Sequence, residues 1–271
     1  MLFFSFYPEN IVKCNLKISV IKKIVYFIVG IISYPALCIF NKFRISGMEH
    51  LNGLPKGNVL FVSNHQTYFA DVIAFIHIFC AHSWRKKNKL GIPFYLLWPF
   101  TGIKYVAAEE TMQSSLLTKF FTLAGALTVK RTWTEGGKEV RRGLDPSDTR
   151  KIFDSLKNNW VITFPQGTTK AFAPARKGTA YIIKQTNPIV IPVVINGFSR
   201  AFDKKGLVLR KKGTQLSVRF KAPLEIDITQ SNDIIMEQIM DAIEQSKKFM
   251  PAAMHIDSSE KKPENTVTNN A

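Results

Sequence analysis

The sequence contains few cysteines, and their spacing excludes several kinds of site. Three cysteines occur among 271 residues, and no two of them stand at the separations of a zinc site or a redox-active pair. Free cysteines of this kind are usually small buried apolar residues, which is the role we expect for Cys14, Cys38 and Cys80. The cysteines therefore indicate no metal site or redox pair, and nothing in the sequence requires an oxidising compartment. No metal and no cofactor are expected.

Acidic residues are also scarce. Aspartate and glutamate total 20 against 37 lysines and arginines, which gives a net charge of +17. Such an excess favours an anionic partner, either nucleic acid or an anionic membrane surface with phosphorylated substrates. The sequence has no zinc-finger or RRM signature that would read nucleic acid, so no nucleic-acid partner is expected. Hydrophobic residues make up 46% and charged residues 21%, a balance typical of a folded domain.

One long apolar segment lies near the N-terminus. Ile24–Phe40 contains no charged residue, but a full transmembrane helix needs about 20 apolar residues, and Gly30 and Pro35 interrupt the run. Basic residues flank it on both sides: Lys17, Lys22, Lys23, Lys42 and Arg44. This arrangement favours a helical membrane anchor that dips into one leaflet or lies along it. The alternative is a buried helix of a soluble domain. A cleaved signal peptide is not expected, since no small-residue cleavage site follows.

The rest of the chain alternates between short β-rich runs and helical patterns. Continuous apolar runs predict strands covered on both faces at Asn58–Ser63, Ala126–Val129, Val161–Phe164 and Ile189–Ile195. Helices are predicted around 71–80, 115–125, 148–158, 177–185 and 234–243. A hairpin is predicted to join Leu207–Leu209 to Leu216–Phe220.

These patterns predict an α/β fold. We expect a single domain with a mixed β-sheet flanked by helices, preceded by an N-terminal helical membrane anchor. The expected boundaries are 1–45 for the membrane-anchoring segment, 46–250 for the domain and 251–271 for a disordered polar tail.

A second stretch has two interpretations. Arg85–Lys89 is strongly basic, and Ile92–Phe100 is rich in aromatic and aliphatic residues. Basic residues beside exposed aromatics are typical of a membrane interface. A solvated charge run followed by aromatics packed in the core fits the sequence equally well.

His65 is the residue with the strongest indication of a catalytic role. It follows the predicted strand Asn58–Ser63 and precedes a predicted helix, a position in which α/β proteins often place active groups. A histidine that removes a proton from a hydroxyl needs a carboxylate to fix its tautomer and to stabilise the imidazolium. Asp71 is close enough in sequence to provide it. Structural or surface roles are predicted for the other histidines, His50, His77, His82 and His255.

Four segments together resemble a known family. Ser63–Asp71 resembles the His–Asp motif of the glycerolipid acyltransferase family, which includes the 1-acylglycerol-3-phosphate acyltransferases. Three further segments resemble blocks of that family in the family's order: Gly125–Arg131, Phe164–Thr169 and Val190–Val194. The resemblance covers residues 58–197, and the N-terminal apolar segment is where the family places its membrane anchor. Each block alone is weak, but four in order make the resemblance specific.

The sequence departs from the family pattern at two places. The family has one residue fewer between its His and Asp, so Ala70 occupies the expected carboxylate position. We expect a bulged start of the helix to absorb the insertion, since alanine cannot orient an imidazole. In the third block, Gln166 and Thr169 stand where the family has Glu and Arg, which removes a bidentate phosphate contact. Compensation is expected from Lys170, Arg131, Arg176 or Lys177.

The resemblance implies transfer of a fatty acyl group from an acyl thioester, either acyl-CoA or acyl-carrier protein, to the hydroxyl of a lysolipid. His65 would be the general base, Asp71 would orient it, and backbone amides near Gly167 would stabilise the oxyanion. The expected substrate-binding residues are Arg131, Gln166, Gly167, Thr168, Thr169, Lys170 and Lys177.

The implied acceptor is 1-acylglycerol-3-phosphate, in phospholipid biosynthesis. The implied location is the cytoplasmic face of the inner (cell) membrane, with membrane lipids as further partners. Two alternatives stay open. One is an O-acyltransferase for a lysolipid without phosphate, such as an amino-acid lipid, which the missing arginine favours. The other is a catalytically inactive lipid-binding membrane protein.

Overall fold

The structure is a computed structural model that describes residues 9–109, 122–129, 132–135, 138–141 and 146–251. The strands in these ranges are β1 (Lys42–Ser46), β2 (Val59–Ser63), β3 (Ile103–Ala108), β4 (Ala126–Val129), β5 (Thr132–Glu135), β6 (Lys138–Arg141), β7 (Trp160–Thr163), β8 (Ile189–Asn196) and β9 (Gln215–Phe220). The helices are α1 (Glu9–Tyr34), α2 (Ala70–Ser83), α3 (Pro146–Asn158), α4 (Gly178–Thr186), α5 (Phe198–Ala201) and α6 (Asn232–Ala242). Single turns of other helical types cover Pro35–Ile39, Met48–Leu51, Pro93–Leu96 and Lys247–Phe249.

Seven of the described strands form one sheet in the order β1-β9-β8-β2-β7-β3-β4. The five strands from β8 to β4 run parallel to one another. β9 runs antiparallel to β8, and β1 pairs in parallel with β9. β5 and β6 form a separate antiparallel pair. The mixed sheet flanked by helices that the sequence predicted is confirmed.

Alternate residues of β2 face two different cores. Val59 and Phe61 pack in a cluster with side chains of α1 and α2. Leu60 and Val62 pack in a second cluster with side chains of α3, α4 and α6. Successive side chains of a strand point to opposite faces, so β2 is covered on both sides, as its continuous apolar run predicted.

Most of the predicted helices are confirmed. α2, α3, α4 and α6 occupy the predicted segments within a few residues. The Ser231 hydroxyl accepts a hydrogen bond from the Ile234 N–H at 3.3 Å and caps α6, as a serine at the start of a helix does. The predicted helix at 115–125 lies largely outside the described residues, as do residues 252–271 of the predicted tail.

The predicted hairpin between Leu207–Leu209 and β9 is wrong. β9 pairs with β8 and β1 instead, and Leu209 forms only an isolated bridge with Phe202. The Asp203 carboxylate accepts the N–H groups of Leu207 and Val208 at 2.8 and 3.0 Å. Because a local side chain holds these donors, they are not available for a strand ladder.

α1 lies within the predicted N-terminal helical segment and is continuous across Gly30. The helix continues through Gly30 to Tyr34, and one π-helical turn then begins at Pro35. Gly30 faces Leu96, and a Cβ at this position would lie 2.6 Å from Leu96 Cδ1. Gly30 therefore interrupts the apolar run without breaking the helix, since the glycine allows close packing against Leu96. Val20–Ile39 is long and apolar enough to cross a membrane by length and composition.

One face of α1 packs against the domain and the other is exposed. The Tyr26 hydroxyl donates to the Ala124 carbonyl at 3.0 Å, and the buried Lys22 ammonium donates to the carbonyls of Thr101 and Ile103 at 2.6 and 2.7 Å. The large apolar side chains exposed along this segment are Val20, Ile21, Ile24, Phe27, Ile28, Ile31, Ile32, Ile39 and Phe40. Exposed apolar residues from the neighbouring region are Trp84, Ile92, Phe94, Leu97 and Trp98.

Candidate active site

The predicted catalytic segment lies at the carboxyl edge of the central parallel strands. β2 pairs with β7 on one side and β8 on the other, both in parallel. The residues that follow these strands therefore meet at one edge of the sheet, where α/β proteins bind ligands. His65 comes two residues after β2, and Phe164 comes directly after β7. The fold thus brings the first and third sequence blocks together.

His65 and Asp71 are in direct contact. His65 Nδ1 lies 3.0 Å from Asp71 Oδ2. The imidazole is 14% exposed and the carboxylate is fully buried. Asp71 stands in the first turn of α2, where the positive end of the helix macrodipole favours a carboxylate. A partly exposed histidine in contact with a buried carboxylate has the geometry that general-base catalysis requires.

Further hydrogen bonds to Asp71 fix the tautomer of His65. The N–H groups of Gln66 and Thr67 donate to Asp71 Oδ2 at 2.6 and 3.2 Å, and the Thr67 hydroxyl donates to Oδ1 at 2.8 Å. A carboxylate surrounded by donors acts only as an acceptor, so the proton of the imidazole is on Nδ1. The lone pair is then on Nε2, which is the atom that can take a proton from a hydroxyl.

The residue that lengthens the His–Asp spacing is accommodated before the helix. The four residues after His65 form a bent loop, and α2 begins regularly at Ala70. Within the loop, the N–H groups of Tyr68 and Phe69 donate to the carbonyls of Lys204 and Lys205 at 3.1 and 2.9 Å. The bulged helix start predicted from the sequence is therefore wrong. A loop stabilised by a distant segment takes up the extra residue.

Aromatic stacking also fixes the imidazole. The rings of His65 and Phe164 are stacked with centroids 4.0 Å apart and an interplanar angle of 22°. The contact covers one face of the imidazole and restricts its rotation. Sequence reasoning placed Phe164 in the third block but assigned it no role at the site.

Two amide side chains beside His65 were also missed. Asn64 Nδ2 donates to the Ile195 carbonyl at 2.8 Å, and Asn64 Oδ1 accepts the Ile195 N–H at 2.7 Å. Gln66 Oε1 accepts the N–H of Phe198 at 2.9 Å at the start of α5. These bonds attach one side of His65 to the end of β8 and the other side to the start of α5. The sequence signal that could have identified them is their position, since Asn64 and Gln66 flank His65 directly after a buried strand.

Gln166 and Gly167 both form hydrogen bonds within the third block. Gln166 is buried, and its Nε2 donates to the Ala173 carbonyl at 3.0 Å and to Gln245 Oε1 at 3.3 Å. The Gly167 N–H donates to the Phe164 carbonyl at 2.9 Å. Gln166 therefore stabilises the local turn, and the Gly167 amide closes that turn; oxyanion stabilisation by other amides near Gly167 and substrate binding by Gln166 stay predictions.

The predicted basic residues of the third block differ in their surroundings. The Arg176 guanidinium lies over Gly167, where an added Cβ would be 2.9 Å from Arg176 Nε. Lys177 forms an ion pair with Asp233 at 2.8 Å, and Lys170 is exposed. Arg176 is therefore the cation that the structure positions against the turn carrying Phe164.

Three further residues were predicted to bind substrate: Thr168, Thr169 and Arg131. Thr168 and Thr169 are half-buried, and the Thr168 hydroxyl accepts the Lys170 N–H at 3.3 Å. Arg131 lies outside the described residues. Among the described residues, no group of three or more His, Cys, Asp or Glu side chains is arranged to hold a metal ion.

Comparison with known proteins identifies the family. The model of the acyltransferase family matches residues 42–196, which is more than half of the chain and includes His65, Asp71 and Phe164. The chain belongs to the acyltransferase family.

Individual relatives are more distant. The chain is 27% identical over 142 residues to a 1-acyl-sn-glycerol-3-phosphate acyltransferase from Cocos nucifera, a match that covers 49% of this chain and 42% of that relative. The crystal structure of the 1-acyl-sn-glycerophosphate (LPA) acyltransferase PlsC from Thermotoga maritima is 17% identical, with a TM-score of 0.49 over 96% of this chain and 86% of that one. The chain therefore spans less than half the length of the curated relative that it matches.

The acyltransferase match covers β2 and α2, between which the dyad lies, and it ends at the last residue of β8. It leaves out α1, β9, α6 and the segment between β8 and β9. That segment supplies the carbonyl groups that hold the loop after His65. Part of the support for the dyad thus comes from residues beyond the family match.

Proposed function

We propose that this acyltransferase is a lysophospholipid O-acyltransferase that transfers a fatty acyl group from an acyl thioester to a lysolipid hydroxyl in phospholipid biosynthesis. The observation that carries the proposal is the contact between His65 Nδ1 and the buried Asp71 carboxylate. This contact occupies Nδ1 and leaves Nε2 to act as the base. Family membership supports the reaction class, and the Cocos nucifera relative supports the acceptor class.

The proposed reaction needs only groups of the protein and the two substrates. His65 Nε2 removes the proton of the acceptor hydroxyl while the oxygen attacks the thioester carbonyl carbon. Asp71 stabilises the imidazolium that forms. The tetrahedral intermediate then collapses, the C–S bond breaks, and the imidazolium returns its proton to the leaving thiolate. An ester and a free thiol are formed, and His65 is neutral again.

The proposed acceptor is 1-acylglycerol-3-phosphate, and Arg176 is the proposed contact to its phosphate. Arg176 is held against the third block, and its N–H donates to the Pro165 carbonyl at 2.9 Å. A guanidinium can form paired hydrogen bonds with phosphate, which Thr169 cannot. Arg131 is a further candidate on sequence grounds. The alternative acceptor, a lysolipid without phosphate, is favoured by the threonine at position 169.

The proposed donor is acyl-CoA or an acyl-carrier protein, and the net charge of +17 suits both, since each is anionic. We also propose association with the membrane through α1, at the cytoplasmic face of the cell membrane. The apolar residues exposed on α1 support this, because a patch of that size on a soluble monomer is unusual. The catalytically inactive alternative is disfavoured by the intact hydrogen bonds around Asp71.

An acyl-transfer assay with radiolabelled thioester tests the proposal. The full-length protein in detergent is incubated with a panel of lysolipids that differ in whether they carry a phosphate. His65→Ala serves as the inactive reference. Labelled product from lysophosphatidic acid that depends on His65 supports the proposal. Product from phosphate-free lysolipids alone would assign the alternative acceptor, and no product from any lysolipid with either donor would support the inactive lipid-binding protein.

A further inference from the structure

The segment that stabilises the loop after His65 is also a prominent surface feature. It runs from Asp203 to Lys212 and connects α5 to β9; we call it the 203–212 loop. Its tip carries two neighbouring aliphatic side chains, Leu207 and Val208, which are 40% and 61% exposed. Exposed cations flank this tip in the sequence: Lys204, Lys205, Arg210, Lys211 and Lys212.

The 203–212 loop has a defined shape. The Asp203 carboxylate accepts the N–H groups of Leu207 and Val208, and the Asp203 carbonyl accepts the Gly206 N–H at 2.8 Å. The Asp203 N–H in turn donates to the Val208 carbonyl at 3.0 Å. Internal bonds of this kind hold the tip in one conformation, so the two aliphatic side chains are presented to solvent as a fixed pair rather than buried by local collapse.

The cations of the 203–212 loop have no carboxylate partner among the described residues. Asp203 is the only acidic side chain in the loop, and it is engaged by backbone donors. Lys204 and Lys212 lie over the rings of Tyr68 and Phe40 at 5.8 and 4.7 Å. The loop therefore presents five positive charges around an apolar tip, which is the charge pattern that an anionic surface complements.

The base of the loop contacts the end of the proposed anchor. The Gly213 N–H donates to the Phe40 carbonyl at 2.7 Å, and Asn41 Oδ1 accepts the Thr214 N–H at 2.9 Å. Phe40 is itself exposed and ends the apolar segment. The loop thus continues the surface that begins with the exposed face of α1.

We propose that the 203–212 loop is a second membrane-docking element, which inserts Leu207 and Val208 into an anionic bilayer while its lysines and arginines contact the lipid headgroups. Its inner side bonds to the loop after His65 through the carbonyls of Lys204 and Lys205. Docking therefore places the dyad at the bilayer surface, where a lysolipid acceptor resides. The inference rests on the membrane association proposed above and not on acyl transfer.

Tryptophan fluorescence of the full-length protein tests this inference. Val208→Trp places a reporter at the tip of the loop. Ile234→Trp is the matched control, because Ile234 is 50% exposed and lies on α6, which packs on the face of the sheet opposite α1. Spectra are read as differences from the unmodified chain, whose four tryptophans are common to both variants. Vesicles contain phosphatidylcholine with or without phosphatidylglycerol, and brominated acyl chains act as quenchers.

We expect the emission of Trp at position 208 to shift to shorter wavelength and to be quenched by brominated chains, more strongly when phosphatidylglycerol is present. The reporter at 234 should show neither change. Arg210→Gln with Lys211→Gln should reduce the quenching at 208 in phosphatidylglycerol vesicles. If the first reporter perturbs folding, as judged by thermal unfolding, Leu207→Trp replaces it.

An unquenched reporter at 207 or 208, in protein that has sedimented with the vesicles, would overturn the inference. So would a spectral shift caused by a soluble acidic carrier protein but not by vesicles, which would assign the loop to the donor. The readout needs no turnover, so its failure is distinguishable from a failure of the proposed acyl transfer.

Discussion

Gly206 lies directly behind Thr67. A Cβ added at Gly206 would be 2.7 Å from Thr67 Oγ1 and 2.6 Å from the Ala70 nitrogen. Thr67 Oγ1 is the hydroxyl that donates to Asp71 Oδ1. Gly206 also has a φ of +77°, which a residue with a side chain adopts at a cost. The orientation of the Asp71 carboxylate therefore depends on the absence of a side chain in a segment far away along the chain.

We expect Gly206→Ala to lower kcat by about 10-fold or more, because the added methyl group displaces the Thr67 hydroxyl and leaves Asp71 with one hydrogen bond fewer; a hydrogen bond to a charged group contributes about 1.5–3 kcal/mol. Steady-state kinetics on lysophosphatidic acid measure the effect. Gly213→Ala is the matched control, since Gly213 has a φ of +72° and no atom within 4 Å of the added Cβ. Equal losses of kcat in both variants would show that backbone strain alone is responsible.

His77 gives the stability of the folded protein a defined pH dependence. His77 is buried; its Nε2 lies 2.9 Å from Ser33 Oγ, and its Nδ1 lies 2.9 Å from the Tyr95 hydroxyl. Burial lowers the pKa of His77 to about 4. The pKa in the unfolded chain is about 6.5. Between these values the unfolded chain binds a proton that the folded protein does not, so stability falls as the pH falls through this window.

We expect His77→Gln to flatten this dependence by up to about 3 kcal/mol, at about 1.4 kcal/mol per pKa unit. Denaturant unfolding in detergent between about pH 4 and pH 7 measures it. A variant whose free energy of unfolding changes with pH as steeply as that of the unmodified chain would contradict the assignment.

Arg176 should determine the preference for phosphate-bearing acceptors. Arg176→Ala is expected to raise the KM for lysophosphatidic acid by about 10- to 150-fold, since a charged hydrogen bond contributes about 1.5–3 kcal/mol. The KM for a neutral lysolipid should stay nearly unchanged. Lys184→Ala is the control, because Lys184 lies on α4 and its ammonium donates to the Gln230 carbonyl, which precedes α6, at 2.8 Å. Equal KM changes for the two acceptors would remove Arg176 from phosphate recognition and leave Arg131 as the candidate.

The two faces of α1 should respond differently to polar substitution. Ile28→Ser with Ile32→Ser alters the exposed face, where these residues are 42% and 73% exposed, and should weaken sedimentation with vesicles without changing the melting temperature. Val25→Ser alters the buried face and should lower the melting temperature by removing apolar burial, at about 25 cal/mol per Å². High salt alone should not release the unmodified protein, since apolar burial is not screened by ions. Vesicle binding unaffected by the double substitution would contradict anchoring by this face.

Local patterns in the sequence predicted the parts of the site that are local. The buried strand β2, the turn with His65 and the start of α2 follow one another in the chain, so a continuous apolar run and a polar break sufficed. Sequence resemblance supplied the order of the blocks.

Long-range contacts could not be predicted in this way. Asn64 forms a hydrogen bond with Ile195, 131 residues away, and Tyr68 forms one with Lys204. The periodicity of apolar residues along the sequence does not predict contacts between such distant residues. The wrong hairpin has the same cause, because the Leu207–Leu209 pattern carries no indication that Asp203 would bind its backbone. The sequence placed the extra residue in the start of α2 and not in the loop before it. That loop is stabilised by Lys204 and Lys205, which follow β8 and are distant in the sequence.

The most direct test of the dyad compares the kcat/KM for acyl transfer to lysophosphatidic acid between His65→Ala and the unmodified protein. The comparison requires that the two proteins have the same melting temperature. A positioned general base contributes about 100- to 10,000-fold, and we expect a loss in that range. Asp71→Asn, which keeps the shape of the side chain but not its charge, should cause a comparable loss. A folded His65→Ala variant with near-normal kcat/KM would contradict the account, because the imidazole would then not be the base.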